Sequence, residues 1–550
     1  MSASLDGQAR QRQDSHPSRG ARNSFNDRDN DNQELLHGLL SDEAFESDGE
    51  HVFSLVVERT KWWKIYMLHF LFMWNTRTFE YVSIILVASA FPEDLTAMSI
   101  RQVNSVGFEI TCLHICRGMA STLSTILFAS SVGSWIDKSP NSTAPLGTSI
   151  VVNHASIVII YLAWMLWPGI VQDDSTFTKN ALFTTIVLFD VVQVMSAVGN
   201  SLSISRDWIP TLVGADMGSD YTLSHVNAVI ARVNLFCKVA SPLLLPVIIS
   251  AFSRSVWISL VILTTVLVWI VEIYVLRNVS LENPQLLSLK AQETNPEDSM
   301  EGLGLNGGKH MDTLRKLEIL VCRQPAQRLR HFFSMPIWPA AICMAFLYLT
   351  VLVYSAPLIT YLLQSGMPLT IVTIARASGS LLGFIATFTT PLASEYLSRR
   401  FADRKAGKGI VPRMLSSWGI IGQFLSLIPV VLVLRSLSPS SPDGTDATTE
   451  AVSQAGFITI FALFGFLSLS RLFHWTYELM EQELEQSEVP ASQRSTFSGT
   501  GQAICSCFDL LHWLAIVAWE RPEQFKGLAV ASLCVVGSSA VWFWVWARRS

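Results

Sequence analysis

Charge is what this chain has least of: only 15% of its 550 residues are Asp, Glu, Lys or Arg, whereas 50% are hydrophobic. That balance leaves too little polar surface to clothe a soluble core, and it excludes ordinary water-soluble domains. The net charge of −5 is small and the basic residues sit in short loops, so no nucleic-acid partner is expected. Seven of the eight cysteines (Cys112, Cys116, Cys237, Cys343, Cys505, Cys507 and Cys534) fall in apolar runs, which argues against a secreted disulfide framework. There is no G-x-x-x-x-G-K-[ST] pattern. The "NGGKH" at 306–310 has neither the spacing nor the Ser/Thr, so nothing supports transport driven directly by ATP. Residues 1–60 lack the apolar core of a signal peptide and read as a disordered tail.

What the chain has in abundance is apolar sequence in lengths that match about 30 Å of hydrocarbon. Such stretches lie near 64–90, 110–136, 147–170, 180–203, 223–252 and 255–276, then near 336–363, 369–395, 410–435, 453–480, 496–519 and 525–547. Between the two sets of six, residues 277–335 have the composition of a linker. Basic residues in short loops stay on the cytoplasmic side. Arg399, Arg400, Arg404, Lys405, Lys408 and Arg413 place one loop there, and Arg315, Lys316, Arg323, Arg328 and Arg330 place the linker there. An even number of spans then puts both termini inside. The expected fold is an all-α integral membrane protein with twelve transmembrane helices in two six-helix lobes, residues 61–276 and 336–550. Two such lobes joined by a cytoplasmic linker resemble the major facilitator superfamily, whose members expose a midplane site alternately to each side. Asn141 heads an "NST" acceptor pattern but falls on the cytosolic side, so no glycan is expected there.

Ionisable groups inside spans are costly and mark a pathway or a partner. Glu80 lies in the first span with Thr76 one turn earlier, Asn234 and Lys238 lie in the fifth, and Asp509 and His512 lie in the eleventh. Cys505, Asp509 and His512 stand at i, i+4 and i+7, which gives one helix face a thiol, a carboxylate and an imidazole, a mixture suited to a borderline divalent metal. A transported ion must also leave, and two or three protein ligands plus water allow that better than a closed four-ligand site. The bland alternative makes Asp509 a bond to a neighbouring helix, His512 a satisfied polar residue and Cys505 core filler. In "CLHIC" (112–116) the two thiols share a face and His114 points away, so packing cysteines are expected. Glu478, Glu481, Glu483, Glu485 and Glu488 at the inner end of span ten read as a solvated helix end or as gate salt bridges. In "LVYSAPLITYLL", Pro357 removes a backbone donor, so a helix break there would free carbonyls for an ion.

Several stretches together resemble the ferroportin family of iron exporters. They are "VGSWIDKSP" (132–140), "ISRDWIPTLVGAD" (204–216), "VNAVIARVN" (226–234), "AFLYLTVLVYSAPLITYLLQSGMP" (345–368) and "FDLLHW" (508–513), in the family's order over nearly all of residues 60–547. The "RTFEY" of span one is similar to the R-T-W-E-F of plant members. The resemblance implies export of Fe²⁺ from the cytosol, a metal site in each lobe, and proton antiport. Carried over position by position, it makes His512 the metal histidine of the eleventh helix with Asp509 beside it, puts Thr76, Glu80 and Asn234 at the first-lobe site, and assigns Asp137, Asp207 and Arg494 to the cytoplasmic gate, where Glu478 stands for an aspartate. The seventh-helix cysteine of vertebrate members is Ala356 here, leaving Ser355, freed backbone near Pro357 or Cys505 to complete the second site. Regulation by the peptide hormone hepcidin through that cysteine is therefore not expected. The implied calcium positions of the first lobe read Thr76, Asn153, Thr265 and Glu272, with a single carboxylate.

The resulting expectation is a secondary transporter, not an enzyme, that exports divalent metal by alternating access, with Fe²⁺ first and Co²⁺, Ni²⁺, Mn²⁺ or Zn²⁺ next. The metal is cargo and no cofactor is expected; the lipid bilayer is the other partner and the protein is expected to be a monomer. It would reside in the plasma membrane or a vacuole-like membrane. Two alternatives stay open, a facilitator of a small organic solute and a receptor or scaffold that does not transport.

Overall fold

A computed structural model of the chain describes residues 61–90, 105–172, 176–216, 222–288, 290, 324–364, 367–401, 409–436, 456–519 and 524–549. The amino-terminal tail, most of the central linker and the basic loop at 402–408 lie outside the described residues, as do the side chains of Cys112, His114, Cys116 and Arg117. Among the described residues the chain is helical throughout. The first lobe comprises α1 (Trp62–Ala90), α2 (Ser105–Lys138), α3 (Thr143–Gln172), α4 (Thr176–Leu202), α5 (Ile209–Ala215), α6 (Leu223–Ala251) and α7 (Arg254–Glu282). After the linker come α8 (Gln324–Ser334), α9 (Trp338–Tyr348), α10 (Ala356–Gln364), α11 (Leu369–Phe401), α12 (Ile410–Ser436), α13 (Phe457–Glu488), α14 (Arg494–Ala518) and α15 (Phe525–Arg549). Helix stands at every apolar stretch the sequence marked. By length and composition, eight helical segments among the described residues are long and apolar enough to cross a membrane.

Apolar side chains explain the grouping. The second lobe has one core, running from Phe332 and Cys343 through Leu427 and Tyr477 to Phe543. The first lobe has two, one built on Trp62, Leu68, Leu146 and Trp208 and the other on Phe79, Leu86, Ile157 and Trp164. Buried polar residues accompany them, including His69, Asn75, Thr76, Asn153, His154, Asn200 and Glu272. Large apolar side chains such as Leu243, Val247, Ile270, Ile374, Trp418 and Phe461 are exposed, as lipid-facing positions of a multi-pass membrane protein must be.

Three departures from regular helix position functional groups. Ser203–Trp208 forms a π-helical segment between α4 and α5, and it carries Arg206 and Asp207. Trp208 anchors it, fully buried, with its indole N–H donating to Ser142 O at 2.9 Å. Residues 349–355 interrupt the seventh stretch between α9 and α10. Pro357 is the second residue of α10, where its missing N–H leaves no helical bond unmade, so the break lies just upstream of it. Finally, α8 meets α9 at 112°, an amphipathic turn of the linker folded across the end of the second lobe.

Candidate functional site

Arg77 and Glu80 lie three residues apart on α1, so their side chains are neighbours on one face. The Arg77 guanidinium donates to both Glu80 carboxylate oxygens at 2.9 and 2.7 Å, and its other terminal nitrogen donates to Asn234 Oδ1 on α6 at 2.8 Å. The structure thus brings Glu80 and Asn234 together, but with an arginine between them. Arg77 was not singled out in the sequence, although the i, i+3 spacing of "RTFE" carried the signal. Thr76 is buried, and its hydroxyl has no hydrogen-bond partner among the described residues.

A calcium ion does not fit the positions implied nearby. Glu272, the one carboxylate among them, is fully buried with an oxygen 3.2 Å from His154 Nε2, and Trp269 stacks on that imidazole. The Thr265 hydroxyl donates to Val261 O at 2.8 Å and the Asn153 amide nitrogen lies 3.4 Å from Gln193 O. One carboxylate already faced by an imidazole falls far short of the six to eight oxygens that calcium gathers.

In the second lobe the broken seventh segment meets α14. His512 is buried, and its Nδ1 lies 3.4 Å from the carbonyl oxygen of Leu349, at the first residue of the break. Other freed backbone groups find local partners: Val351 N–H donates to Ser532 Oγ at 3.0 Å and Leu352 N–H to Thr350 Oγ1 at 3.2 Å. Cys505 is buried in the apolar core of the lobe, and Asp509 is half-buried. Among the described residues no three His, Cys, Asp or Glu side chains converge closely enough to hold a metal ion, so Cys505, Asp509 and His512 share a helix face without forming a three-ligand group. Glu478 on α13 and Asp509 on α14 both lie within electrostatic reach of Tyr348, where α9 ends.

Toward the starts of α6 and α14 the two lobes lock together, at the end where the sequence expectation puts the gate. The Asp137 carboxylate, at the end of α2, accepts from Ser495 N–H at 3.1 Å, Thr496 N–H at 2.7 Å and Thr496 Oγ1 at 2.7 Å. It closes the first turn of α14, where unpaired N–H groups and the helix dipole favour a negative charge. Ser130 and Thr500 hydroxyls meet at 2.9 Å one layer deeper. Backbones touch here: a Cβ at Gly133 would overlap Ser495 O, and one at Gly499 would stand 2.5 Å from Ala129 O. Arg494 reaches Arg206 O at 3.5 Å and feels the charges of Asp207 and Asp137.

The other residues expected at the gate take these partners. Asp207 pairs with Lys290 at 2.7 Å, within its own half and the start of the linker. Arg206 crosses the seam to Glu485, which also accepts from Ser498 Oγ at 2.8 Å, while Gln486 and Asn227 pair at 2.6 Å. Glu485, one of the acidic run read as gate salt bridges, and Gln486 are the α13 residues at this seam; Glu478 lies two turns deeper, 3.8 Å from His474 Nε2. The π-helical segment explains why Arg206 was missed, since regular helical spacing would aim it elsewhere. Asn141 accepts Ala144 N–H at 2.9 Å and so caps α3.

Residues 59–536 match the family model described as Ferroportin1 (FPN1). "Solute carrier family 40 member 1" of Danio rerio is 20% identical over 536 residues, covering 88% of this chain and 91% of its own length. "Ferroportin" of Mus musculus is 21% identical over 489 residues, covering 79% and 84%. A crystal structure of a bacterial homologue of the iron transporter ferroportin, in its outward-facing state, superposes with a TM-score of 0.67 at 19% identity, covering 88% of this chain and 99% of that one. The major facilitator proton:xylose symporter XylE superposes with a TM-score of 0.51 at 11% identity, covering 88% and 95%. Both likenesses establish the major facilitator fold.

Proposed function

Since the chain belongs to the ferroportin family, whose model it matches from residue 59 to residue 536, we propose that it is a secondary transporter that exports divalent metal, first of all Fe²⁺, from the cytosol. The observation that carries the mechanism is the meeting of His512 with the broken seventh segment, where an imidazole stands 3.4 Å from a backbone carbonyl freed from helix. An ion held there by His512, that carbonyl, Asp509 and water is bound by few protein ligands, and it can leave. Twelve spans with both termini in the cytosol put the gate end on the cytosolic side, closed in this form.

In the inward-open form the Asp137 and Arg206–Glu485 contacts part and the ion passes them. It then exchanges water for Glu80, Asn234 and Thr76 in the first lobe or for His512 and Asp509 in the second. Arg77 must yield its two partners for the first of these to work, which makes the second lobe the stronger site. A neutral imidazole ligates metal and a protonated one does not, so metal and proton exclude each other at His512, and this supports coupling to proton antiport. Ala356 in place of a thiol leaves hepcidin nothing to engage there, and the chain acts as a monomer in either the plasma membrane or a vacuole-like membrane. The test is thermal stabilisation of the purified protein by Fe²⁺ or Co²⁺. Stabilisation that survives in the double variant Glu80→Gln/His512→Ala refutes these ligands.

A further inference from the structure

The short helix α8 has an inner face packed on protein and an outer face that is bare. On the inner face Arg328 donates to Ser131 on α2 and to Gln324, the His331 ring meets Gln493 Oε1 at 2.9 Å just ahead of α14, and Phe332 is buried with its ring stacked on Phe497, centroids 4.6 Å apart. These contacts fix α8 against the gate end. Leu329 and Phe333, at i and i+4, make the outer face and are 41% and 44% exposed. Arg330, three residues before Phe333, borders that face and is exposed.

The outer face continues beyond α8. Phe333 packs edge-on against Trp338 at 5.2 Å, and Trp338 packs edge-on against Trp542 of α15 at 5.6 Å. The Trp546 indole donates to Pro336 O at 3.1 Å, between α8 and α9. An aromatic strip thus joins α8 to α15, one of the helices long and apolar enough to cross a membrane. Arg549 follows Trp542 by seven residues and Trp546 by three, so it stands on the side of α15 that carries the strip. Arg548 lies over the Trp544 ring, 3.7 Å from its centroid.

The strip carries charge of one sign. Residues 324–348 and 525–549 contain no Asp or Glu. Glu488 is joined to the strip only through Arg413, which it neutralises and whose guanidinium lies 5.2 Å from the Trp546 ring centroid. Asp137, on α2 beyond Ser131, is held by the first turn of α14. Among the described residues, Arg330 and Arg549 make no hydrogen bond or ion pair.

We propose that α8 and the end of α15 form a binding surface for anionic phospholipid, with Leu329, Phe333 and Trp542 against the acyl chains and Arg330 and Arg549 on the headgroup phosphates. The turn of 112° between α8 and α9 carries α8 across the ends of the spans instead of along them, as an interfacial helix runs. Aromatic rings at the boundary, and arginines that reach from an apolar face to the polar layer, fit that position. A second copy docked through the same patch would set arginine against arginine. Anionic lipid is concentrated in the cytosolic leaflet, so the proposal rests on the topology that puts the gate end in the cytosol.

Native mass spectrometry tests this on the full-length protein in detergent, free of metal, with equal amounts of phosphatidylserine and phosphatidylcholine of the same acyl chains. Wild type is expected to carry phosphatidylserine in preference, and Arg330→Gln/Arg549→Gln to lose about fivefold of that preference for each arginine. Arg399→Gln/Arg400→Gln, two exposed cations on α11 away from the strip, should keep it. Leu329→Ser/Phe333→Ser should bind less of both lipids. An unchanged melting temperature excludes misfolding as the cause. No preference in wild type, full preference in the Arg330/Arg549 variant, equal loss in the α11 control, undiminished lipid on the Leu329/Phe333 variant, or a lipid-free dimer in place of the lipid-bound monomer overturns the proposal. Because metal is absent throughout, a failure here leaves the exporter reading standing; a protein that selects phosphatidylserine but is never stabilised by Fe²⁺ or Co²⁺ does the reverse.

Discussion

Replacing Asp137 with Ala removes one carboxylate and with it three hydrogen bonds across the seam, at 3.1, 2.7 and 2.7 Å. Two of the donors are backbone N–H groups in the first turn of α14, and Ser495 is fully buried, so in the gate-closed form its amide is left without water as well as without partner. A buried donor stripped of its acceptor costs about 1–3 kcal/mol, and loss of a negative charge at a helix N-terminus adds about 0.3–1 kcal/mol. In the gate-open form the same groups are hydrated, so nearly all of the loss falls on the closed form. Because the terms do not add fully, the difference is about 3 kcal/mol, and the closed-to-open ratio drops roughly 100-fold. Spin labels at the gate ends of α2 and α14 report the two populations as two distances. The short distance is expected to dominate in wild type and the long one in Asp137→Ala. Asp137→Asn, which keeps an acceptor without the charge, should fall between them. An unchanged short distance in Asp137→Ala refutes the assignment of this carboxylate to the latch.

Gly133→Val should produce the same long distance for a steric reason, since any Cβ there overlaps Ser495 O; wild-type distances would contradict the backbone contact. Arg77→Gln frees Glu80 and Asn234 from a competing cation and is expected to tighten metal binding about tenfold in calorimetry, a modest figure because Glu80 is half exposed; weaker binding would show that Arg77 assembles the site. Calcium should leave the melting temperature of wild type unchanged, because His154 already faces the Glu272 carboxylate; an upward shift would show that calcium finds ligands there. His512→Ala should lower metal affinity by about tenfold or more without lowering the amount of protein in the membrane, and should abolish the weakening of metal binding toward acid pH. Retention of that pH dependence would move the proton to another group.

The helices were legible because each span is one long apolar run, and its ends are marked by polar loops. The break in the seventh stretch was legible from Pro357, although it extends upstream through residues 349–355, where Thr350, Ser355 and Ser532 supply the bonds that helix would have made. Motif order singled out Asp137 and Arg494, and both side chains lie at the seam between the lobes. What the sequence hid were pairings that depend on three dimensions. Arg77 takes Glu80 and Asn234, two of the residues read as metal ligands, and a π-helical turn re-aims Arg206 at Glu485. Asp207 is drawn to Lys290 of the linker. Cys505 has the right spacing for a ligand but points into apolar core, and spacing on one helix does not reveal what the next helix covers.

Flux through the protein itself tests the export reading most directly. Sealed proteoliposomes loaded with a metal-sensing dye, with wild type in one set and Glu80→Gln/His512→Ala in the other, are given Fe²⁺, Co²⁺, Ni²⁺, Mn²⁺ or Zn²⁺ with and without a pH gradient. Wild type should move Fe²⁺ well above empty liposomes and faster with the gradient, and the double variant should fall to the empty-liposome rate. Equal Fe²⁺ flux in the two proteins, or none in wild type, would contradict it.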